Sequence, residues 1–185
     1  FTYNNREEFQ KILDRHGSRL AAVVMEPCRY SDPAPGFLGF VRDGVHKAGG
    51  LLVFDEVTIG WRLCFGGAHR KLGINPDMAV FAKSLGNGYP MAAIIGSTSA
   101  MEGAHRSFIS SSYWTESIGP AAALATIRKM QRVDVPAHVA RMGDLVRGSW
   151  SRLGASHKLP IVVEAGYPCM ARFRFDHELV NELRT

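Results

Sequence analysis

Residues 77–88 read DMAVFAKSLGNG: the apolar run Met78 to Ala82 ends in Lys83 and then turns into glycines. An apolar run this short, bounded by turn residues, reads as a strand buried on both faces. A lysine leaving such a strand sits in an apolar setting, where desolvation disfavours its charge. Two readings compete. The lysine either snorkels from the strand end into water, or its amine is a nucleophile.

The flanking sequence repeats the pattern. AAVVMEP (21–27), LLVFD (51–55) and AAIIGS (92–97) are further short apolar runs. Between them REEFQKILDRHG places Phe9, Ile12 and Leu13 on one helical face, and FLGFVRDGVHKAGG does the same for Phe37, Phe40, Val41 and Val45. Long helical patterns follow at 119–132 and 136–153. The tail reads as strand (PIVVEA), strand (PCMARFRFD) and helix (HELVNELR). Pro33, Pro35 and Gly36 break one loop, and Gly60, Gly66 and Gly67 punctuate another. Strands alternating with helices predict an α/β fold with a mostly parallel sheet. Such sheets bind ligands at the carboxyl ends of their strands. Glu26, Asp55 and Lys83 end three separate strand patterns there.

Composition narrows the classes. The chain has 185 residues, 46% hydrophobic and 21% charged, within the range of one globular domain. Its net charge is +5, but the basic residues are scattered, and IRKMQRVD reads as a solvated helix face, so nucleic acid is not expected as a partner. No apolar run approaches the roughly 20 residues of a membrane span, and no membrane partner is expected. Cys28, Cys64 and Cys169 form no metal or redox pair, and no histidine pair has ligand spacing. The expectation is a reduced, cytoplasmic protein without a metal site.

Chemistry can be read from the strand ends. Asp55 at the end of LLVFD could cap a loop, or could fix a cation such as a protonated pyridine nitrogen. Lys83 follows 83 − 55 = 28 residues later, a distance suited to one loop and the neighbouring strand. A lysine that forms a Schiff base with an aldehyde and a carboxylate that holds a pyridinium are the two requirements of pyridoxal phosphate (PLP). A P-loop is a poor alternative, because its glycines precede the lysine and here they follow it. SFISSSYW contains serines but no GxSxG elbow, and Tyr113 and Trp114 read as packing residues.

LLVFDEVTIGW…GGAHRKLGINPDMAVFAKSLGNGYPMAAIIGS, with AAVVMEP before it and WTESIGPAAALATI after it, resembles the signature region of class III PLP-dependent aminotransferases. PAPGFL and GWRL…FGGA are most similar to the glutamate-1-semialdehyde 2,1-aminomutase branch. The resemblance implies part of a fold type I PLP-transferase large domain, with helices on both faces of the sheet. Residues 1–155 would be the C-terminal half of that domain, and 156–185 the start of a small C-terminal domain. It implies an aminotransferase acting on an amino donor and a carbonyl acceptor through a Lys83 Schiff base, with aminomutase as the alternative. Asp55 would hold the ring nitrogen, Val57 would pack on the ring, and Thr115 would reach the cofactor phosphate of a partner in a homodimer. Glu26 would lie on the substrate side. Ser117 is read as a helix cap. Thr58 belongs to the implied cofactor-binding set, but stands where many members carry a longer glutamine. Asn87 replaces a turn glycine, and Asn tolerates positive φ. The chain lacks an initiator Met and the segments expected to carry the phosphate loop, the stacking aromatic and the substrate-carboxylate arginine. It is therefore read as a piece of a longer enzyme, which on its own would hold half a site and could be inactive.

Overall fold

The computed structural model describes residues 1–113 and 115–176. In chain order its elements are α1 (Arg6–His16), β1 (Ala22–Met25), α2 (Phe37–Lys47), β2 (Leu51–Asp55), α3 (Ala68–Leu72), β3 (Met78–Phe81), β4 (Ala93–Gly96), α4 (Thr98–His105), α5 (Ile118–Met130), α6 (Val135–Ser156), β5 (Ile161–Val163) and β6 (Phe173–Phe175). The main sheet runs β1-β2-β3-β4, with β1, β2 and β3 parallel and β4 antiparallel to β3. A separate antiparallel pair joins β5 to β6. No described helix is long and apolar enough to cross a membrane.

Register decides which side chains share a face. Val23 pairs with Leu52, Phe54 with Ala79, and Phe81 with Ala93, so these residues lie on one side of the sheet. Phe9 of α1 and Phe37, Val41 and Val45 of α2 pack there against Leu52 and Phe54, all with no measurable exposure. Farther along the same face, Ala123 of α5 packs with Ala79, Phe81 and Leu85. Each large side chain so buried contributes about 1.5–3 kcal/mol of transfer free energy. The opposite face is covered less. Met101 of α4 closes over Gly96 and Met78 at one end. Val24 and Ile94, which point to that side, remain 66% and 54% exposed. Helices thus lie on both faces, but unevenly.

The β3 run does not match the expectation of burial on both faces. Ala79 and Phe81 are buried, whereas Met78 and Val80 are half-buried. Two helices also escaped the periodicity reading, α3 inside the glycine-rich loop and α4 after β4. Asn5 caps α1 by accepting from the Glu8 amide at 2.9 Å, and Asp134 caps α6 from Ala137 at 3.0 Å. Residues 177–184, read as a helix, and Trp114 lie outside the described residues.

Asp77 ties three elements together before β3 begins. Its Oδ2 accepts from the Leu52 amide at 2.7 Å and lies 2.8 Å from His46 Nε2. Burial pushes its carboxyl up, but the hydrogen bonds from Leu52 and His46 outweigh this and hold it below the usual aspartate range. A lowered folded pKa means stability that is present above the unfolded value and lost as pH falls through the folded one. Asp77→Asn is expected to cost about 1–2 kcal/mol at neutral pH. In urea melts the gap to the wild type should narrow as pH falls below the usual aspartate range, where the wild-type carboxylate itself protonates.

Candidate active site

The carboxyl ends of β1, β2 and β3 carry the polar residues in question. Met25 pairs with Phe54, so Glu26 and Asp55, the next residue of each strand, stand level at the sheet edge. Asp55 pairs with Val80, which sets it on the less covered face, and the chain leaves β3 two residues before Lys83. Half-buried Asp55 accepts from the Val57 amide at 2.9 Å through Oδ1. The aspartate therefore does cap its loop, and it does so while its carboxylate stands at the edge where ligands collect.

Lys83 lies in the turn that follows β3 and is exposed. This chain does not supply the apolar surroundings expected around its amine, because the strand ends before the lysine and the turn faces outward. Nζ donates to Thr58 Oγ1 at 2.9 Å. Lys83 has φ of +43° and Asn87 of +48°, both in the left-handed region that L-residues enter at a cost. Asn87 thus takes a conformation that its side chain tolerates, and its amide closes on the Lys83 carbonyl at 2.9 Å.

The loop after Asp55 is held from beneath. Glu56 is fully buried and accepts from the Ala68 amide at 2.5 Å and the His69 amide at 2.9 Å, with His69 Nδ1 at 2.5 Å. Cys28, Ile59 and Ala68 form a small core under it, with Tyr167, Cys169 and Met170 packed against them. Burial pushes the Cys28 thiol up to about 11, so Cys28 is a neutral packing group and not a nucleophile. The signal for Glu56 was present in the sequence as a second acid directly after Asp55, but nothing there distinguished a buried carboxylate from a solvated one.

The other expected residues are placed as follows. Glu26 forms an ion pair with Arg29 at 3.3 Å. It lines a cavity of about 580 Å³ along the free edge of β1, which neither Asp55 nor Lys83 lines. Thr115 is exposed in the loop before α5, and no described contact brings it to Lys83. Ser117 occupies the N-cap position of α5 without a side-chain hydrogen bond. The cap comes instead from Glu116, whose carboxylate accepts from the Ile118 amide and, at 3.1 Å, from the Gly119 amide. Tyr113 is 79% exposed and not the packing residue expected.

The donor set can be matched to chemistry. An acceptor-only carboxylate suits a protonated ring nitrogen, and an accessible primary amine on the adjacent strand end suits an aldehyde. The residues present therefore fit PLP.

Comparison with known proteins bears on the fold and the family. A family described as "Aminotransferase class-III" matches residues 2–168. The glutamate-1-semialdehyde 2,1-aminomutase of Thermoplasma acidophilum is 34% identical, over 97% of this chain and 44% of that protein. The 3-aminobutyryl-CoA aminotransferase of Cloacimonas acidaminovorans is 31% identical, over 91% of this chain and 40% of its own length. Among solved structures, the FumI protein of Sphingopyxis sp. MTA144 in its PLP internal aldimine form superposes with a TM-score of 0.87 at 26% identity, covering 98% of this chain and 45% of that one. An omega-transaminase from Sphaerobacter thermophilus gives 0.74 at 26% identity, over 91% of this chain and 40% of that one. The chain spans less than half the length of each of these relatives.

Proposed function

The chain belongs to the aminotransferase class-III family, and from that membership we propose that the protein is a PLP-dependent aminotransferase, moving an amino group from a small-molecule donor to a carbonyl acceptor. The observation that carries the reading is that Asp55 ends β2 and the exposed Lys83 follows the end of the adjacent parallel strand β3, at the same edge of the sheet.

PLP, when bound, supplies an electron sink for negative charge that develops at the substrate Cα. Lys83 would hold the cofactor covalently through Nζ, and its amine would be the group that moves a proton to and from the substrate Cα. Asp55 keeps a proton on the ring nitrogen, and the Val57 amide on Oδ1 fixes that carboxylate in place. The branched Val57 side chain would pack on the ring, and Glu26, level with Asp55 at the sheet edge, would lie on the substrate side.

The remaining assignments follow the same reading. Residues 1–155 form the C-terminal half of the cofactor-binding domain, and 156–185 begin the small domain. The separate β5–β6 sheet supports a second unit, and α6 packs against it, with Gly154 on Ile161 and Trp150 on Phe173. Thr115, exposed in its loop, reaches the cofactor phosphate of a second copy in a homodimer. The free thiols of Cys28, Cys64 and Cys169 support a reducing, cytoplasmic setting.

The aminomutase reading is favoured by the 34% identity to the Thermoplasma acidophilum protein. Product analysis separates the two. PLP-loaded protein given an amino donor and a 2-oxo acid should release the donor's keto product, whereas an aminomutase would isomerise an amino aldehyde with no net keto product. Asp55→Asn should lower either turnover at least about a hundredfold, or about 2.7 kcal/mol of barrier, because a neutral amide cannot hold the ring proton. Folded protein that takes up no PLP at Lys83 would overturn the reading.

A further inference from the structure

We propose that Thr58 is a positioning residue for Lys83: its hydroxyl is the resting partner of the lysine amine whenever that amine is not joined to the cofactor. This rests on the reading of Lys83 as the cofactor-binding lysine, but the contact itself belongs to the chain alone. Lys83 Nζ donates to Thr58 Oγ1 at 2.9 Å. The lysine is exposed and rich in rotamers, so an unanchored amine would sweep a wide volume of solvent. A single well-placed acceptor removes most of that freedom.

The anchor is itself fixed. Thr58 lies between buried Glu56 and buried Ile59. The Gly60 amide closes the turn on the Glu56 carbonyl at 2.8 Å. A Cβ at Gly60 would stand 2.5 Å from that carbonyl and 2.8 Å from the Phe81 ring, so the turn is pressed against β3 and has no room to drift. The residue after the lysine is tied to the same segment, because Arg62 Nε donates to Ser84 Oγ at 3.0 Å. Thr58 on the amine and Arg62 on the next residue thus brace a turn in which Lys83 holds a φ of +43°.

Side-chain length explains why threonine can do this. Its oxygen is attached directly to Cβ, so its reach ends at the lysine. A glutamine could extend past the amine toward a bound ring. A hydroxyl both accepts and donates, so it can hold the amine as an ammonium and as a neutral base. That is what a group passing a proton back and forth needs from its neighbour. Thr58 acts through Lys83 and touches no reacting atom.

The test begins with cofactor-free protein, treated with limiting acetic anhydride. Acetylation of Lys83 is measured by peptide mass spectrometry against the exposed Lys11, Lys47 and Lys71. Thr58→Val, which keeps the shape and removes the hydroxyl, should raise Lys83 labelling about threefold, the scale of one ordinary hydrogen bond. Thr58→Ser should label like the wild type. Equal labelling in Thr58→Val and wild type would overturn the contact. In a second arm PLP is added and trapped on the protein by borohydride. Capture at Lys83 should be about fivefold slower in Thr58→Val and restored in Thr58→Ser. Wild-type capture rates in Thr58→Val would overturn the positioning role. No capture by the wild type would instead sink the cofactor reading, and the acetylation arm would still decide the contact.

Discussion

Lys83→Ala is expected to abolish covalent PLP binding and turnover while leaving the fold intact. PLP added to the wild type should produce an absorbance band near the visible edge, and borohydride should fix the cofactor's mass on the Lys83 peptide. In the variant both signals should vanish, because no other described lysine stands at the carboxyl edge beside Asp55. The change should cost little stability. Lys83 is exposed and its one described side-chain partner is a hydroxyl, so the loss should stay within about 0.5 kcal/mol. That combination is diagnostic, since a lysine holding structure would lower the melting temperature along with the band. A wild-type band in a folded Lys83→Ala protein would show that another amine carries the cofactor.

Much of this site was legible because β-strand physics writes itself into short apolar runs. LLVFD and DMAVFA were readable as adjacent parallel strands, and the polar residues ending them could be placed at one edge before any coordinates. The two missed helices had no such signature. α3 is one and a half turns of AHRKL between glycines, too short for a helical period, and is stabilised by the Glu56 carboxylate at its first amides. α4, TSAMEGAH, buries none of its residues, so it presents no apolar stripe to read. The Ser117 cap failed for a related reason, since a longer neighbour, Glu116, reached the same amides first. The burial expected at Lys83 rested on counting apolar residues. Register shows that alternate residues of β3 face the less covered side, where Val24, Ile94 and the Asp55 carboxylate also point. An apolar sheet face left that open is what a further layer of protein would bury. The relatives, each more than twice as long as this chain, have the residues to form one.

Glu56→Ala is expected to be the most destabilising single change at the site, although Glu56 need not touch any ligand. Its carboxylate is fully buried and gathers the Ala68 and His69 amides and the His69 ring into one point. Removing it strands two amide donors at the start of α3 and leaves His69 without its partner. Hydrogen bonds to a charged group contribute about 1.5–3 kcal/mol and do not simply add, so a total near 3 kcal/mol is expected. For a chain of this size that corresponds to a fall in melting temperature of about 10 °C. Glu56→Gln should recover part of the loss, because one oxygen still accepts while the other position now donates toward donors. The damage should also travel. Thr58 is carried by the turn that Glu56 anchors, so Lys83 acetylation in Glu56→Ala should rise toward the level of Thr58→Val even below the melting transition. A melting temperature within about 2 °C of the wild type would mean that the buried carboxylate is desolvated at a cost nearly equal to what its hydrogen bonds return. The turn bearing Thr58 would then owe its shape to Ile59 and Gly60 instead.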